Sequence, residues 1–128
     1  MGILASVSGE PVGWCACGPR SRYVATDGGR SKVLRDRERN EDDIVWLLPC
    51  LFVRAGFRGQ GVTHALIRAA VELARSEGAL AIEGWPTAGS DRGSADAFLG
   101  RERVFGDLGF SCVSRPTPQR AIMRFELT

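Results

Sequence analysis

The sequence predicts a mixed α/β fold around one central β-sheet, with the element order ββ-β-α-β-α-ββ. Three observations predict it. The almost unbroken apolar run Ile44–Val53 is typical of a central strand that is buried on both faces. The stretch Val62–Arg75 has the apolar period of an amphipathic helix. Short β-prone runs separated by turn residues, two before and two after these elements, predict an antiparallel hairpin towards each end of the chain.

Length and composition indicate an ordinary globular protein. The chain has 128 residues, which is most simply one domain over residues 1–128. Hydrophobic residues make up 44% and charged residues 25% of it. The net charge of +2 is too small to indicate nucleic acid or an anionic membrane as a partner. The longest apolar run contains Pro49 and is shorter than the roughly 20 residues that a membrane-spanning helix needs.

The cysteines argue against a metal site. Cys15, Cys17, Cys50 and Cys112 form no C-x-x-C pair, and the chain has one His, so we expect no zinc. The N-terminus has no secretory signal pattern. We therefore expect reduced thiols and a cytoplasmic protein.

The first two strands are predicted at Ile3–Val7 and Val12–Cys17, joined by the turn residues Ser8–Pro11. Cys15 and Cys17 share one face of their strand and are expected in the core. Residues 18–43 are polar, with balanced charges, and predict a long solvated loop that is flexible in part.

The third strand and the helix after it are the strongest elements. Pro49 cannot donate a ladder hydrogen bond, so a bulge or a splay is expected there. The predicted apolar stripe of the helix consists of Val62, Ala65, Leu66, Ala69, Ala70, Leu73 and Ala74. Its solvent face consists of His64, Arg68, Glu72 and Arg75. Gly78 is expected to end the helix.

A strand and a weaker helix follow. Leu80–Trp85 is predicted as a strand that Pro86 ends, and 87–93 as a loop. The segment Ser94–Leu108 predicts a helix that internal glycines weaken and Gly109 terminates.

A second hairpin is predicted after this helix. Its strands are Phe110–Ser114 and Ala121–Leu127, around the turn Arg115–Gln119. The chain thus combines antiparallel hairpins with one right-handed β-α-β crossover.

The glycine-rich segment Arg58-Gly59-Gln60-Gly61-Val62-Thr63 lies between the third strand and its helix. Glycines allow the backbone to approach a ligand, and the amides of a first helical turn attract anions, so the segment predicts a phosphate site. The dinucleotide fingerprint fails because His64 stands where its third glycine is needed, and the P-loop motif fails because no G-K-[ST] follows. The short R-G-x-G pattern is weak alone, since Gly makes up 16 of the 128 residues. The strand before it and the helix after it carry the argument.

In this setting the chain resembles the GNAT superfamily of acetyl-CoA-dependent N-acetyltransferases. The signature of that family is Q/R-x-x-G-x-G/A shortly after a hydrophobic strand. Here Arg58–Thr63 follows Leu51-Phe52-Val53, with Thr63 where Gly or Ala is usual. The end of the second helix, Leu108-Gly109-Phe110, is also similar to the family.

The resemblance implies a GNAT-like mixed sheet with splayed central strands and acetyl-CoA as co-substrate. Backbone groups of the third strand would pair with the pantetheine arm like an added strand, and the amides of residues 59–63 would hold the pyrophosphate. The residues so implied in binding the coenzyme A thioester are Leu51, Phe52, Val53, Arg58, Gly59, Gln60, Gly61, Val62, Thr63 and His64.

The resemblance leaves the catalytic groups partly open. The Val53 amide is the implied oxyanion donor. Phe105 stands where many members have a Tyr acid, so water or another group protonates the thiolate. Glu83 is the first candidate for the base, as a lone carboxylate in an apolar strand; the alternative is an edge carboxylate that faces solvent or an Arg. Cys50 is a second catalytic candidate, with a buried inert thiol as its alternative.

The acceptor amine is left open. Family members usually have a strand and helices before the first hairpin, whereas Ile3 is already in that hairpin. Either this part is absent from the sequence, or a second subunit supplies it in a homodimer. Trp14, Trp46 and Trp85 either line an acceptor pocket or belong to the core. Besides an N-acetyltransferase for a small-molecule or protein amine, the sequence allows a non-catalytic coenzyme A-binding or assembly module and a purely structural domain.

Overall fold

A computed structural model describes residues 2–27, 37–57, 61–86, 102–117 and 120–127. Its strands are β1 Gly2–Val7, β2 Glu10–Pro19, β3 Val45–Val53, β4 Ala81–Gly84, β5 Ser111–Thr117 and β6 Arg120–Glu126. Its helices are α1 Arg20–Asp27, α2 Val62–Ser76 and α3 Glu102–Asp107, with a 3-10 turn at Arg39–Glu41.

The six strands form one mixed sheet in the order β1-β2-β3-β4-β6-β5. Strands β3 and β4 are parallel and are connected through α2, while every other neighbouring pair is antiparallel. The predicted mixed α/β class is confirmed. Among the described helices, none is both long and apolar enough to cross a membrane.

The first hairpin has a tighter turn than the sequence predicted. Its two turn residues, Ser8 and Gly9, have φ of 51° and 81°, and positive φ at both positions is the signature of a type I′ turn. Glu10 and Pro11 were predicted in the turn, but they already pair with β1. The hairpin itself is confirmed.

The predicted loop at 18–43 is wrong in two places. Strand β2 continues to Pro19, and α1 follows it at once. The helix starts at a fixed point, because Arg20 is buried in an ion-pair cluster and the Ser21 amide donates to the Asp42 carbonyl at 2.7 Å. Residues 28–36 lie outside the described residues.

Strand β3 has the irregularity predicted at Pro49. The register between β2 and β3 shifts by one residue between Ala16 and Gly18. As a result Leu48 and Pro49 on β3 lie together opposite Cys17 on β2, which is a β-bulge. A residue without an amide hydrogen is tolerated at such a position because a bulge leaves one residue out of the ladder.

Helix α2 is confirmed, with Gly78 after its end at φ of 79°. Its buried residues are Leu66, Ile67, Ala70, Val71 and Ala74. The predicted stripe was therefore misplaced by one side-chain column, since Ala65 is exposed while Ile67 and Val71 are buried. Large branched side chains release more free energy on burial than alanines do, so they turn towards the sheet.

The second half follows the predicted order with different bounds. Strand β4 begins at Ala81 and ends at Gly84, and helix α3 occupies the described end of the predicted helix; residues 87–101 lie outside the described residues. Both strands of the second hairpin are confirmed. The predicted turn is wrong for 115–117, because β5 continues to Thr117, and 118–119 lie outside the described residues.

The hydrophobic core lies on one face of the sheet, beneath α2 and α3. Cys15, Cys17 and Trp46 belong to it, as the sequence predicted for both thiols. The core alternative for the three tryptophans holds for Trp46 alone, since Trp14 is 42% exposed and Trp85 is not part of this core. A hydrogen bond between the two thiols is the main reason why the pKa of Cys15 is raised and that of Cys17 is lowered. The opposite face of the sheet carries a cluster of ion pairs at one end and exposed apolar side chains at the other.

Candidate functional site

The candidate site begins where β3 separates from β4. The two strands pair from Val45 and Ala81 up to Leu48 and Gly84. Within the described residues no pair of this ladder lies farther on, although β3 continues through Val53 along β2. The β3 bulge therefore coincides with the point at which the two parallel strands part.

The backbone of β3 beyond the bulge presents amide groups to the side of β4. The Arg54 amide donates to the Val12 carbonyl of β2 at 2.8 Å. Amide directions alternate along a strand, so the amides of Leu51 and Val53 point away from β2, towards the β4 side. Both side chains are buried in the core, which holds this backbone edge in place.

The N-cap residue before helix α2 is a glycine in the left-handed region. Gly61 has φ of 81° and ψ of 5°, a Cβ placed on it would meet nothing within 4 Å, and its carbonyl accepts the Ala65 amide at 3.0 Å. Of the described residues in the first turn, none is acidic. The positive end of the helix dipole is therefore not offset by a carboxylate there, and it suits an anion.

The remaining residues predicted to bind the cofactor are placed as follows. Val62, Thr63 and His64 form the first turn of α2 and are each partly buried. Arg58, Gly59 and Gln60 lie outside the described residues. The described geometry thus brings Leu51–Val53 and the first turn of α2 to the two ends of one short connection.

Glu83 lies on β4 and is 7% exposed. Its two carboxylate oxygens face two guanidinium groups: Oε1 is 3.5 Å from Arg20 Nη1, and Oε2 accepts from Arg124 Nη1 at 3.1 Å. This is the alternative stated from the sequence, a carboxylate that faces an Arg. The contacts favour a charge-pairing role for Glu83 over a role as base.

Arg20 is the centre of this cluster and is 2% exposed. Its Nε donates to Asp42 at 2.7 Å, and its Nη2 donates to the Glu38 carbonyl at 2.6 Å. A buried guanidinium without partners is costly, so loss of these bonds would destabilise the fold. The bonds therefore hold the start of α1 and the segment around Asp42 against the sheet. Sequence reasoning missed Arg20, because nothing in a polar segment distinguishes one buried arginine from its solvated neighbours.

Asp42 also forms an ion pair with a second arginine, Arg37. Arg37 Nε and Nη2 donate to its two oxygens at 2.8 and 3.0 Å. The hydrogen bond from Arg37 is the main cause that holds the pKa of Asp42 below its usual range; burial acts against it, and Arg20 adds to the lowering. Asp42 is therefore a carboxylate throughout the neutral pH range.

Two further predicted groups are placed by the structure. Cys50 pairs through its backbone with Ala16 in the ladder, and its side chain lies outside what is described. Phe105, at the position of the family's Tyr, is completely buried, with its ring at a 5.0 Å centroid distance from Phe110. A Cβ on Gly84 would lie 2.4 Å from Phe105 Cε1, so the ring packs directly on the end of β4.

The sequence profile of the Acetyltransferase (GNAT) family matches residues 1–100. The chain belongs to this family. No curated protein sequence matches it. This match confirms the resemblance that was inferred from the glycine segment and the strand and helix around it.

Solved structures share the fold at low sequence identity. A ribosomal-protein-alanine N-acetyltransferase from Brucella melitensis has a TM-score of 0.62 at 17% identity, over 98% of this chain and 68% of that one. The yncA protein from Salmonella typhimurium, solved with acetyl-CoA, has a TM-score of 0.65 at 13% identity, over 99% and 64%. An acetyltransferase of the GNAT family from Streptococcus pneumoniae has a TM-score of 0.62 at 12% identity, over 99% and 66%. This chain spans about two thirds of their length.

Proposed function

We propose that this chain transfers the acetyl group of acetyl-CoA to a primary amine of a small molecule or a protein. The observation that carries the proposal is the parting of β3 from β4 after Leu48 and Gly84, directly before the strand segment Leu51–Val53. Its backbone edge suits an extended pantetheine arm, which would add to it as a strand does. Membership of the GNAT acetyltransferase family supports the same reaction class.

The residues that would bind the donor lie along one path. Leu51 and Val53 direct amides to the β4 side of β3, and Gly61 opens α2 without a side chain over its first turn. The pyrophosphate fits the positive end of that helix, because its charge is opposite to that of the helix dipole. The chain from the strand to the helix thus matches a thioester at one end and phosphates at the other.

The reaction forms an N–C bond and breaks the C–S bond of the thioester. The amine reacts in its neutral form and its proton passes to solvent, while the Val53 amide is the proposed donor to the tetrahedral oxyanion. Water protonates the departing thiolate, since Phe105 has no acidic group. Glu83, with guanidinium groups at both oxygens, holds the sheet face together in this proposal.

A second candidate function is a coenzyme A-binding module without catalysis. Two observations favour it: Phe105 fills the position of the family acid with a buried ring, and Glu83 is engaged by Arg20 and Arg124. Such a module would bind coenzyme A and release no thiol from acetyl-CoA beyond the uncatalysed rate.

One experiment separates the two. Free thiol release from acetyl-CoA is measured with a panel of amines that includes an aminoglycoside, a polyamine, alkylamines and a peptide with a free N-terminus. In parallel, the melting temperature is followed against coenzyme A concentration, because a ligand of the folded state raises it. Saturable thiol release with at least one amine supports the transferase. Stabilisation by coenzyme A without thiol release with any amine supports the binding module. The absence of both stabilisation and thiol release rejects both functions.

A further inference from the structure

Three exposed apolar side chains lie in one row across the sheet. Leu4 on β1 pairs with Trp14 on β2, and Trp14 pairs with Phe52 on β3. Their exposed fractions are 60%, 42% and 37%. We call these three side chains the apolar row. Side chains that pair across a sheet point to the same face, so the three side chains lie next to one another on one face.

The apolar row lies on the face opposite α2. The residues that flank Trp14 and Phe52 on the strands, Cys15, Leu51 and Val53, belong to the core beneath α2. Because neighbours in a strand point to opposite faces, the row faces the other side. Helix α2 and the core cover the first face, and on the second face the described residues leave the row exposed.

The row also starts next to the proposed reaction centre. Phe52 stands between Leu51 and Val53, the two residues whose amides point to the β4 side of β3. From there the row leads away through Trp14 to Leu4 at the edge of the sheet. Strands are about 4.8 Å apart, so its length is about 10 Å. A molecule whose amine lies at the thioester would extend its body along these side chains.

The charged groups of this face lie at the ends of the same strands. The Arg54–Glu10 ion pair, 2.6 Å long, is beyond Phe52 and Trp14 at one end, and the cluster around Arg20 follows Pro19 at the other. Between them the described surface of the row presents two aromatic rings and a leucine. Such a surface suits the burial of apolar area more than the binding of a polycation.

We infer that the acceptor is a primary amine with an extended apolar body, an alkylamine or arylalkylamine, whose body lies along Phe52, Trp14 and Leu4 in that order. The inference rests on the proposed transferase function and names the substrate class of the same site. The apolar row supplies affinity for the body, and the chemistry of transfer is unchanged.

The test uses the n-alkylamines from ethylamine to octylamine, with thiol release from acetyl-CoA as the readout. Each added methylene that becomes buried should raise kcat/KM by about two- to fourfold until the chain covers the row. Spermidine and kanamycin, which lack a continuous apolar body, should be poor acceptors. The KM for acetyl-CoA should not depend on the amine.

Variants of Leu4 and Trp14 test the row at two of its three positions. Leu4→Ala should lower kcat/KM for octylamine about three- to tenfold and leave that for ethylamine unchanged, because only a long chain reaches β1. Trp14→Ala should flatten the dependence on chain length from a shorter amine onwards, and Trp14→Phe should restore part of it. Val113→Ala is the matched control, since Val113 is 55% exposed on β5, at the opposite edge of the sheet, and should change neither slope nor KM.

The outcomes separate this inference from the function on which it rests. Transfer to spermidine or kanamycin with no dependence on alkyl chain length overturns the inference and leaves the transferase standing. Absence of transfer to every amine overturns both. A dimer in sedimentation that Leu4→Ala converts to a monomer, with equal losses for ethylamine and octylamine, would assign the row to a second copy instead. Unchanged melting temperatures of the variants in the absence of ligand show that the losses are not due to unfolding.

Discussion

Gly13 on β2 lies directly beneath Val62, the first residue of α2. A Cβ on Gly13 would be 2.8 Å from Val62 Cγ1 and 3.2 Å from Leu66 Cδ1, with the Phe52 carbonyl also at 3.2 Å. Real Cβ atoms do not come within 3.0 Å of a non-bonded heavy atom, so a side chain at position 13 would force Val62, and with it the start of α2, to shift. The absence of a side chain at Gly13 thereby allows the first turn of α2, the proposed pyrophosphate site, to pack closely on β2.

The first prediction concerns this contact. Gly13→Ala should lower the free energy of unfolding by about 1–3 kcal/mol, because the added methyl overpacks a filled space. It should also weaken stabilisation by coenzyme A, since the start of α2 must move. Urea denaturation with and without coenzyme A measures both effects. Gly106→Ala is the control: Gly106 is in α3 with nothing within 4 Å of its Cβ position, so it should stabilise by about 0.5–1 kcal/mol.

The second prediction tests the anion site at Gly61. Asn and Asp both tolerate the left-handed backbone and both cap helices well, so Gly61→Asn and Gly61→Asp should have similar stability. Only Asp places a negative charge at the proposed pyrophosphate, where a unit charge about 4 Å away costs about 1–4 kcal/mol. The Kd for coenzyme A should therefore rise at least about fivefold more in Gly61→Asp. Equal affinities of the two variants would show that no phosphate binds there.

The parts of the fold that the sequence predicted well have local signals. The apolar period and Gly78 indicate helix α2, and Pro49 indicates the bulge of β3. The turn residues Ser8 and Gly9 indicate the first hairpin. In each case the residues that specify the conformation are neighbours in sequence. The strand, glycine segment and helix around the candidate site are of this kind, and the family was therefore recognisable.

The parts that could not be predicted depend on contacts between distant residues. Helix α1 is fixed by Arg20, whose partners Asp42 and Glu83 lie on other elements of the fold. The sequence shows that Glu83 is a carboxylate in an otherwise apolar strand. It does not show which charged side chains from other elements will face this carboxylate. The apolar row was hidden for the same reason, because the register of β1, β2 and β3 brings Leu4, Trp14 and Phe52 together.

The third prediction distinguishes a base from a charge partner at Glu83. Because both oxygens already face guanidinium groups, Glu83→Gln should lower stability, by up to about 3–5 kcal/mol for a broken buried pair, while kcat/KM falls less than about tenfold. The rise of kcat/KM with pH should persist, because the fraction of the amine that is neutral itself increases with pH. A fall of about a hundredfold or more together with loss of the pH dependence would identify Glu83 as the base.

The fourth prediction follows from the lowered pKa of Asp42, whose main cause is Arg37. A carboxyl group whose pKa is lower in the folded state than in the unfolded state stabilises the fold. This contribution is fully present at a pH above the pKa of the unfolded state, which is about 3.9. That contribution disappears as pH falls through the folded value. Asp42→Asn should therefore be less stable than the unaltered chain at pH 7, and the difference should shrink below about pH 4. A difference that is constant from pH 7 to pH 2 would contradict the prediction.

The fifth prediction concerns the buried ring at the family's acid position. Phe105 Cζ would be 2.6 Å from a Cβ on Gly84, the last β4 residue that pairs with β3. In Phe105→Tyr the hydroxyl is attached to that carbon, next to the point where the strands part, and it stands at the sequence position of the family's Tyr acid. A proton donor there should raise kcat about tenfold or more. The added hydroxyl should lower stability by about 1–3 kcal/mol if it stays unpaired.

Phe110→Tyr is the matched control for this substitution. Phe110 is 4% exposed and packs edge-on against Phe105 in the same cluster, but it belongs to the segment before β5. Both variants gain one hydroxyl in the same apolar surroundings, so both should lose a similar free energy of unfolding in urea titrations. Only Phe105→Tyr should gain activity, because only its hydroxyl lies at the end of β4. Equal kcat for the two variants, despite measurable transfer by the unaltered chain, would place the departing thiolate elsewhere.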